Sequence, residues 1–87
     1  MHITIRQLQV FEAVARHLSY TRAAEELHLT QPAVSMQIKQ MESSIGLPMF
    51  EQIGKKIYLT QAGDAMLVHA RTIMRRLEAA SEEMNDL

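Results

Sequence analysis

Apolar residues recur along much of this chain at helical spacing, and one such pattern lies between residues 31 and 45. Intervals of four, three and four place one set of apolar side chains on a single stripe of a 3.6-residue helix: Val34, Ile38, Met41 and Ile45. Thr30 is a candidate N-cap, and Pro32 suits the first turn, where its missing N–H costs nothing. Gly46 suits the left-handed conformation that ends many helices. The pattern predicts a helix here, with the stripe facing the core.

The opposite side of this predicted helix is polar but carries few charges. Its members are small, amide-bearing or hydroxyl-bearing, with one cation: Pro32, Ala33, Met36, Lys39, Gln40 and Ser43, flanked by Ser35 and Gln37. An ordinary solvated face is rich in Glu and Lys, whereas this set allows close approach and hydrogen bonding to base edges. Taken alone, the residues leave two interpretations open, a soluble helix side and a surface that reads DNA.

A shorter helical pattern lies directly upstream and shifts the balance between these interpretations. Ala23, Ala24 and Leu27 share one side of a helix for which Thr21 is the predicted N-cap. Leu29 follows as a buried residue of a very short turn before Thr30. A short helix, a tight turn and a second helix form a helix-turn-helix, which favours DNA reading by the second helix.

The N-terminal segment predicts a further helix that covers this motif. Thr4 and Gln7 have the spacing of a capping box, and Ile3 and Leu8 are placed for a hydrophobic staple. The predicted core stripe of this helix is Leu8, Phe11, Val14, Ala15 and Leu18. Ser19 and Tyr20 break the pattern, and we expect Tyr20 to pack between elements.

Residues 50–59 predict a short β-hairpin. Apolar and polar residues alternate there on either side of a turn formed by Gly54, Lys55 and Lys56. Two readings are open for the two lysines, a solvated turn or a wing that touches phosphate or the minor groove.

A last helix of about 26 residues is predicted to start after Thr60 as N-cap. Its apolar residues alternate spacings of four and three over three heptads: Met66, Ala70, Ile73, Leu77, Ala80, Met84 and Leu87. We expect this seam, from Met66 to Met84, to pair with a second copy of the chain; the alternative is packing against the chain's own core. Gly63 in the first turn is expected to cost about 1 kcal/mol relative to Ala.

The end of this helix is acidic and has no stop signal. The final turn carries Glu82, Glu83 and Asp86, where the helix dipole favours cations. We therefore expect the helix to continue, and the chain to be the N-terminal fragment of a longer protein.

These segments together resemble a known family. The run RAAEELHLTQPAVSMQIKQME, with Phe11 upstream and LTQAG downstream, is similar to the N-terminal DNA-binding region of LysR-type transcriptional regulators. The likeness is greatest to the regulators of carbon-fixation (Calvin cycle) operons. It implies a mainly α winged helix-turn-helix, with three helices and a two-stranded wing in residues 1–60, followed by a linker helix in residues 61–87.

The resemblance also implies partners and contact residues. Double-stranded DNA with an interrupted palindrome would be bound by a homodimer with antiparallel linker helices, and the intact protein would be a tetramer. The recognition-helix contacts would be Thr30, Gln31, Pro32, Ala33, Ser35, Met36 and Lys39. Where the family commonly has Arg after Phe-Glu, this chain has Gln52, so one contact to the DNA backbone is in question.

Composition narrows the class of protein. The chain has 87 residues, 47% hydrophobic but 5% aromatic, and no Cys, which fits one small aliphatic domain without disulfides or a Cys-ligated zinc site. Neither a signal peptide nor an 18-residue apolar run is present, so we expect a soluble protein of the bacterial cytoplasm, associated with the nucleoid.

Net charge is −1, with six basic and five acidic residues in 1–60 and three and five in the rest. Affinity for DNA would have to come from a few well-placed cations, helix N-termini and two copies of the domain. The four His residues show no ligand spacing, and no P-loop, GxGxxG or nucleophile elbow is present. We expect no catalysis, metal or cofactor. The alternative function is a homotypic protein-interaction module in which the side of Ala33 and Met36 meets protein.

Overall fold

The computed structural model describes residues 1–87 and contains four helices and one hairpin. The elements in chain order are α1 (Ile5–His17), α2 (Tyr20–Leu27), α3 (Gln31–Ile45), β1 (Phe50–Ile53), β2 (Lys56–Leu59) and α4 (Gln61–Asn85). The strands are antiparallel, with Phe50 opposite Leu59 and Ile53 opposite Lys56. The predicted winged helix-turn-helix with a long last helix is confirmed.

Side-chain caps begin three of the helices at the predicted residues. Thr4 accepts the Gln7 backbone N–H at 3.0 Å, and the Gln7 side chain accepts the Thr4 N–H at 3.1 Å, which completes the capping box. The Thr30 hydroxyl accepts the N–H of Ala33, the third residue of α3, and the Thr60 hydroxyl accepts the N–H of Gly63, the third residue of α4. Each cap satisfies a donor that has no partner within the helix.

The start of α2 differs from the prediction. Ser19, not Thr21, is the N-cap, and its hydroxyl accepts the Arg22 N–H at 3.1 Å. The reason lies one residue upstream, where Leu18 adopts a left-handed conformation with φ 48° and ends α1. The chain has therefore already turned by residue 19. Tyr20 packs between elements as expected, with its ring centroid 6.0 Å from that of Phe50.

Helix α1 lies at the centre of the fold. It contacts α2 and α3 as well as α4, so Val10 and Ala13, which lie outside the predicted stripe, are also fully buried. Leu18 was wrongly assigned to the core and is 42% exposed as the helix ends. The stripe of α3 is confirmed, since Val34, Ile38 and Met41 are at most 1% exposed and Ile45 packs against the core.

Gly63 is required by a close approach between α4 and the start of the hairpin. A Cβ at this position would overlap the carbonyl oxygen of Met49 and lie 2.9 Å from Leu59 Cδ2. The same Met49 carbonyl accepts the Thr60 N–H at 3.0 Å. The expectation that Gly63 is only a local weakness was wrong, because tertiary contact excludes a larger residue.

The two halves of α4 have different surroundings. Ala70 has no exposed surface and belongs to the core of its own chain. Every residue from 75 to 87 is exposed, including Leu77 at 47% and Met84 at 58%. Packing of the seam against its own domain thus applies to its first part, and the far part is apolar surface without a partner in this chain.

Candidate nucleic-acid interface

The outward side of α3 forms an open, shallow groove. It has a volume of about 670 Å³ and is lined by Gln31, Pro32, Ser35, Met36, Lys39, Gln40 and Ser43. Apart from Gln31, these are residues that the helical pattern placed opposite the core stripe or at its flanks, and Ala33 is half-buried beside them. The caps at Thr30 and Gly46 and the buried Val34–Met41 side fix the rotation of α3, so this face points away from the domain.

The first turn of this groove contains an ordered amide. Gln31 Nε2 donates a hydrogen bond to Ser35 Oγ at 2.8 Å, across one helical turn. Met36 is 58% exposed among the residues that line the groove. The groove therefore offers a directed amide, an apolar surface and a cation in sequence along one helix.

The wing lies beside the first turn of α3. Gly54 takes φ 64° at the hairpin tip, Lys55 and Lys56 are exposed, and Gln52 Nε2 donates to the Gly54 carbonyl at 3.2 Å. Lys56 is the first residue of β2 rather than part of the turn. A polar groove of about 290 Å³ joins this wing to the starts of α2 and α3, lined by Leu18, Ser19, Tyr20, Thr21, Gln31, Gln52, Lys55 and Ile57.

That groove includes residues that sequence reasoning did not assign to the site. Ser19, Tyr20 and Thr21 open α2, and the first helix of a helix-turn-helix commonly crosses the DNA backbone at this point. The helix-turn-helix motif in the sequence was the signal that could have identified these residues. It was missed because Ser19 and Tyr20 were assigned to a break between helices.

Another unassigned residue, Glu42, holds the wing to α3. Its Oε2 accepts the Met49 backbone N–H at 2.8 Å, just before β1. Burial raises the pKa of the Tyr20 phenol, and the negative charge of Glu42 adds to the rise. The Tyr20 ring packs on Phe50, and the ring centroid of Phe50 is 5.5 Å from that of Phe11. The start of the hairpin is thus held to the helices by the hydrogen bond to Glu42 at Met49 and by aromatic packing at Phe50.

Two of the basic residues, Arg16 and Arg71, pair with acidic residues in one cluster. Arg16 donates to Glu26 at 2.6 and 2.7 Å and to Glu12 at 3.0 and 3.1 Å. His17 Nε2 lies 2.8 Å from Glu26 Oε1, and Arg71 Nε lies 3.8 Å from Glu12. The hydrogen bonds from Arg16 and then His17 lower the pKa of Glu26 to about 2, and those to Glu26 and Glu12 raise the pKa of Arg16.

This ion cluster links α1, α2 and α4 and uses its cations internally. Lys39, Lys55 and Lys56 form no ion pair. The uncommitted ammonium groups near the α3 groove are thus available to an anion, although the net charge of the whole chain is −1. The net charge of the whole chain therefore does not reveal the unpaired ammonium groups beside the α3 groove.

Comparison with known proteins agrees with this geometry. Residues 5–64 match the family model described as "Bacterial regulatory helix-turn-helix protein, lysR family". The chain belongs to the LysR family. Family members are transcriptional regulators rather than enzymes, and the family assignment does not favour the alternative of an interaction module without DNA binding.

Its relatives in the LysR family include transcriptional regulators named for the RuBisCO operon. The chain is 56% identical over 87 residues to the RuBisCO operon transcriptional regulator of Allochromatium vinosum, covering all of this chain and 29% of that protein. It is 57% identical over 83 residues to the HTH-type transcriptional regulator CbbR of Rhodospirillum rubrum, covering 95% of this chain and 28% of that protein. The chain thus spans less than a third of the length of these relatives.

Solved structures of LysR proteins share the fold. The CbnR DBD–DNA complex superposes with a TM-score of 0.89 at 32% identity, covering 97% of each chain. The complex of BenM DBD with catB site 1 DNA gives a TM-score of 0.93 at 25% identity, covering 97% of this chain and 94% of that one. Within the present structure, no helix is both long and apolar enough to cross a bilayer. No three His, Asp or Glu side chains converge on a possible metal position.

Proposed function

We propose that this chain is the sequence-specific, double-stranded DNA-binding part of a bacterial transcriptional regulator of carbon-fixation genes, acting in the cytoplasm at the nucleoid. The carrying observation is the α3 groove, in which the amide of Gln31, the thioether of Met36 and the ammonium of Lys39 face outward beside a lysine-bearing wing. Residues 1–60 form the DNA-binding unit in this proposal, and residues 61–87 form the linker helix. The intact protein would be a tetramer of paired dimers.

The proposed base contacts follow from hydrogen-bonding capacity. Gln31 supplies an acceptor and a donor for adenine, and Lys39 supplies donors for guanine or a phosphate. Pro32, Ala33 and Met36 supply apolar surface for a thymine methyl. The N-terminal turns of a recognition helix reach base edges, and Thr30 contributes by capping that end. Each proposed base contact is thus made by a side chain in the first three turns of α3.

We expect Gln31→Ala to lower operator affinity by about 1 to 3 kcal/mol and to relax the preference at one base pair. Selection from a randomised duplex library, followed by sequencing, measures both effects. Gln40→Ala is the matched control, since it removes the same amide from the same groove more than two turns further from the N-terminus of α3. An unchanged sequence preference for Gln31→Ala, with Gln40→Ala altered instead, would reverse the assignment.

We assign the wing a positioning role, carried by Gly54, Lys55 and Lys56. Replacing both lysines with Ala should weaken binding to all sequences alike and lower the slope of log K against log salt by about 2 per bound subunit. Binding isotherms at several salt concentrations measure this slope. The variant with both lysines changed to Arg should keep the slope. A loss of affinity confined to certain sequences would instead make the wing a base reader.

The linker helix is proposed to make a two-fold dimer. The pairing surface consists of Met66, Ile73, Leu77, Ala80 and Met84, without Ala70, which is buried in its own core. At its start this surface borders an apolar groove of about 510 Å³ between α4 and the N-terminal segment, lined by Met1, Ile3, Ile5, Leu8, Met66, His69 and Ile73. An antiparallel partner would lay its exposed far half along this groove, so each copy would cover the apolar surface of the other.

Such pairing would set the spacing of the operator. A two-fold pair presents two α3 helices to successive major grooves, so half-sites should lie about one helical turn of DNA apart, or a multiple of that. The DNA partner would then be an interrupted palindrome. A footprint of the intact regulator would reveal this spacing directly.

A further inference from the structure

The hydrogen bond between Gln31 and Ser35 bears on how a base is read. Gln31 is exposed at the first position of α3, and Ser35 is half-buried one turn later. The bond joins Gln31 Nε2 as donor to Ser35 Oγ as acceptor at 2.8 Å. Among the residues that line the α3 groove, Gln31 and Ser35 are the only two joined to each other by a side-chain hydrogen bond.

The donors and acceptors left on the amide match one base. A glutamine carboxamide has two N–H donors and one carbonyl acceptor. Once Ser35 accepts one N–H, a single N–H and the carbonyl remain. Adenine offers the complementary pair in the major groove, an acceptor at N7 and a donor at N6. An amide with both N–H groups free could also pair with other combinations of donors and acceptors on the base edges. The bond to Ser35 therefore reduces the number of combinations that Gln31 can satisfy.

We propose that Ser35 is a positioning residue that orients the Gln31 carboxamide for adenine, rather than a residue that contacts a base itself. This inference rests on the proposed DNA-binding function. A free glutamine has three rotatable side-chain bonds, and their immobilisation on binding opposes affinity. Ser35 fixes the amide before DNA arrives, so less freedom is lost in the complex.

The test compares four variants of the full 87-residue chain by selection from a randomised duplex library: Ser35→Ala, Ser35→Thr, Gln31→Ala and the Ser35→Ala, Gln31→Ala pair. Ser35→Ala should lower the preference for adenine at the Gln31 base pair about two- to tenfold, the effect of one net hydrogen bond. Ser35→Thr keeps a hydroxyl and should retain most of that preference. In the Gln31→Ala background, the Ser35 change should have no further effect, because the group that it orients is gone.

Melting temperatures of all variants should agree, since both positions are outside the core. A second measurement is the order parameter of the Gln31 side-chain amide in the free protein by NMR, which should fall in Ser35→Ala. Equal effects of Ser35→Ala in both backgrounds, or a changed preference at another base pair, would overturn the inference and make Ser35 a direct contact.

Failure of the inference and of the proposed function are distinguishable. If the unmodified chain enriches no sequence from the library, the proposed function fails and the inference with it. If it enriches a sequence that Gln31→Ala leaves unchanged, the DNA-binding function stands and the positioning role is excluded.

Discussion

Gly63→Ala is expected to lower the free energy of unfolding by about 3 kcal/mol and the melting temperature by about 10 to 20 °C. The added methyl group would overlap the Met49 carbonyl oxygen, which is backbone and already bonded to the Thr60 N–H. Either α4 or the hairpin would have to move. Helix propensity alone predicts the opposite sign, a gain of about 1 kcal/mol. Chemical denaturation at a fixed protein concentration measures the change.

Ala65→Gly is the matched control for this experiment. It changes the same pair of residue types in the reverse direction, two positions further along α4 at an exposed site, and should cost only about 1 kcal/mol. A Gly63→Ala protein as stable as the unmodified chain would show that the contact between α4 and residue 49 is not as close as described.

Leu77→Asp is expected to convert the proposed dimer into a folded monomer, raising the dimer dissociation constant by at least about a hundredfold. Two-fold symmetry removes two apolar side chains from the interface, each contributing about 1.5 kcal/mol or more, and adds two unpaired carboxylates. Leu77 is 47% exposed in the single chain, so folding of each copy should be retained. Light scattering measures the mass, and affinity for a full operator should fall toward that for one half-site.

The control is Val68→Asp. Val68 is 65% exposed and lies nine residues before Leu77, about 180° around the helix at 100° per residue. A carboxylate there should leave the dimer intact. An unmodified chain that sediments as a monomer at high micromolar concentration would contradict the pairing proposal, whichever variant is compared with it.

The parts of the fold that depend on neighbouring residues in the sequence could be predicted. Thr4, Thr30 and Thr60 cap helices because a hydroxyl can reach an N–H within the same turn, whatever the rest of the chain does. The stripe of α3 and the hairpin turn at Gly54 follow from period and turn chemistry in the same way. These local rules were sufficient to place the outward residues of the recognition helix.

The features that sequence reasoning missed depend on contacts between distant segments. Gly63 looks like a weak helix residue until the Met49 carbonyl is placed against it. Val10 and Ala13 lie outside the stripe predicted for α1 and are buried because α2, α3 and α4 all pack against this helix. Ala70 fits the heptad seam by spacing, yet it is buried in its own core. Spacing gives the angle of a residue around a helix, and it does not say which neighbour occupies that side.

Because Gly63 and Ala70 are buried in α4, we expect α4 and the domain that carries the recognition helix to move together as one rigid body. Close packing of Gly63 against Met49 and Leu59 and burial of Ala70 in the core oppose rolling or sliding of α4 on the domain, so we expect movement of the far end of α4 to be passed on to the domain that carries α3. The chain is 50 Å long, whereas one base-pair step of DNA is about 3.4 Å. For a rigid body of this length, a swing of about 4° moves the far end by about 3.4 Å, so in the proposed dimer we expect small changes in the crossing angle of the two α4 helices to alter the spacing of the recognition helices on the scale of one base-pair step.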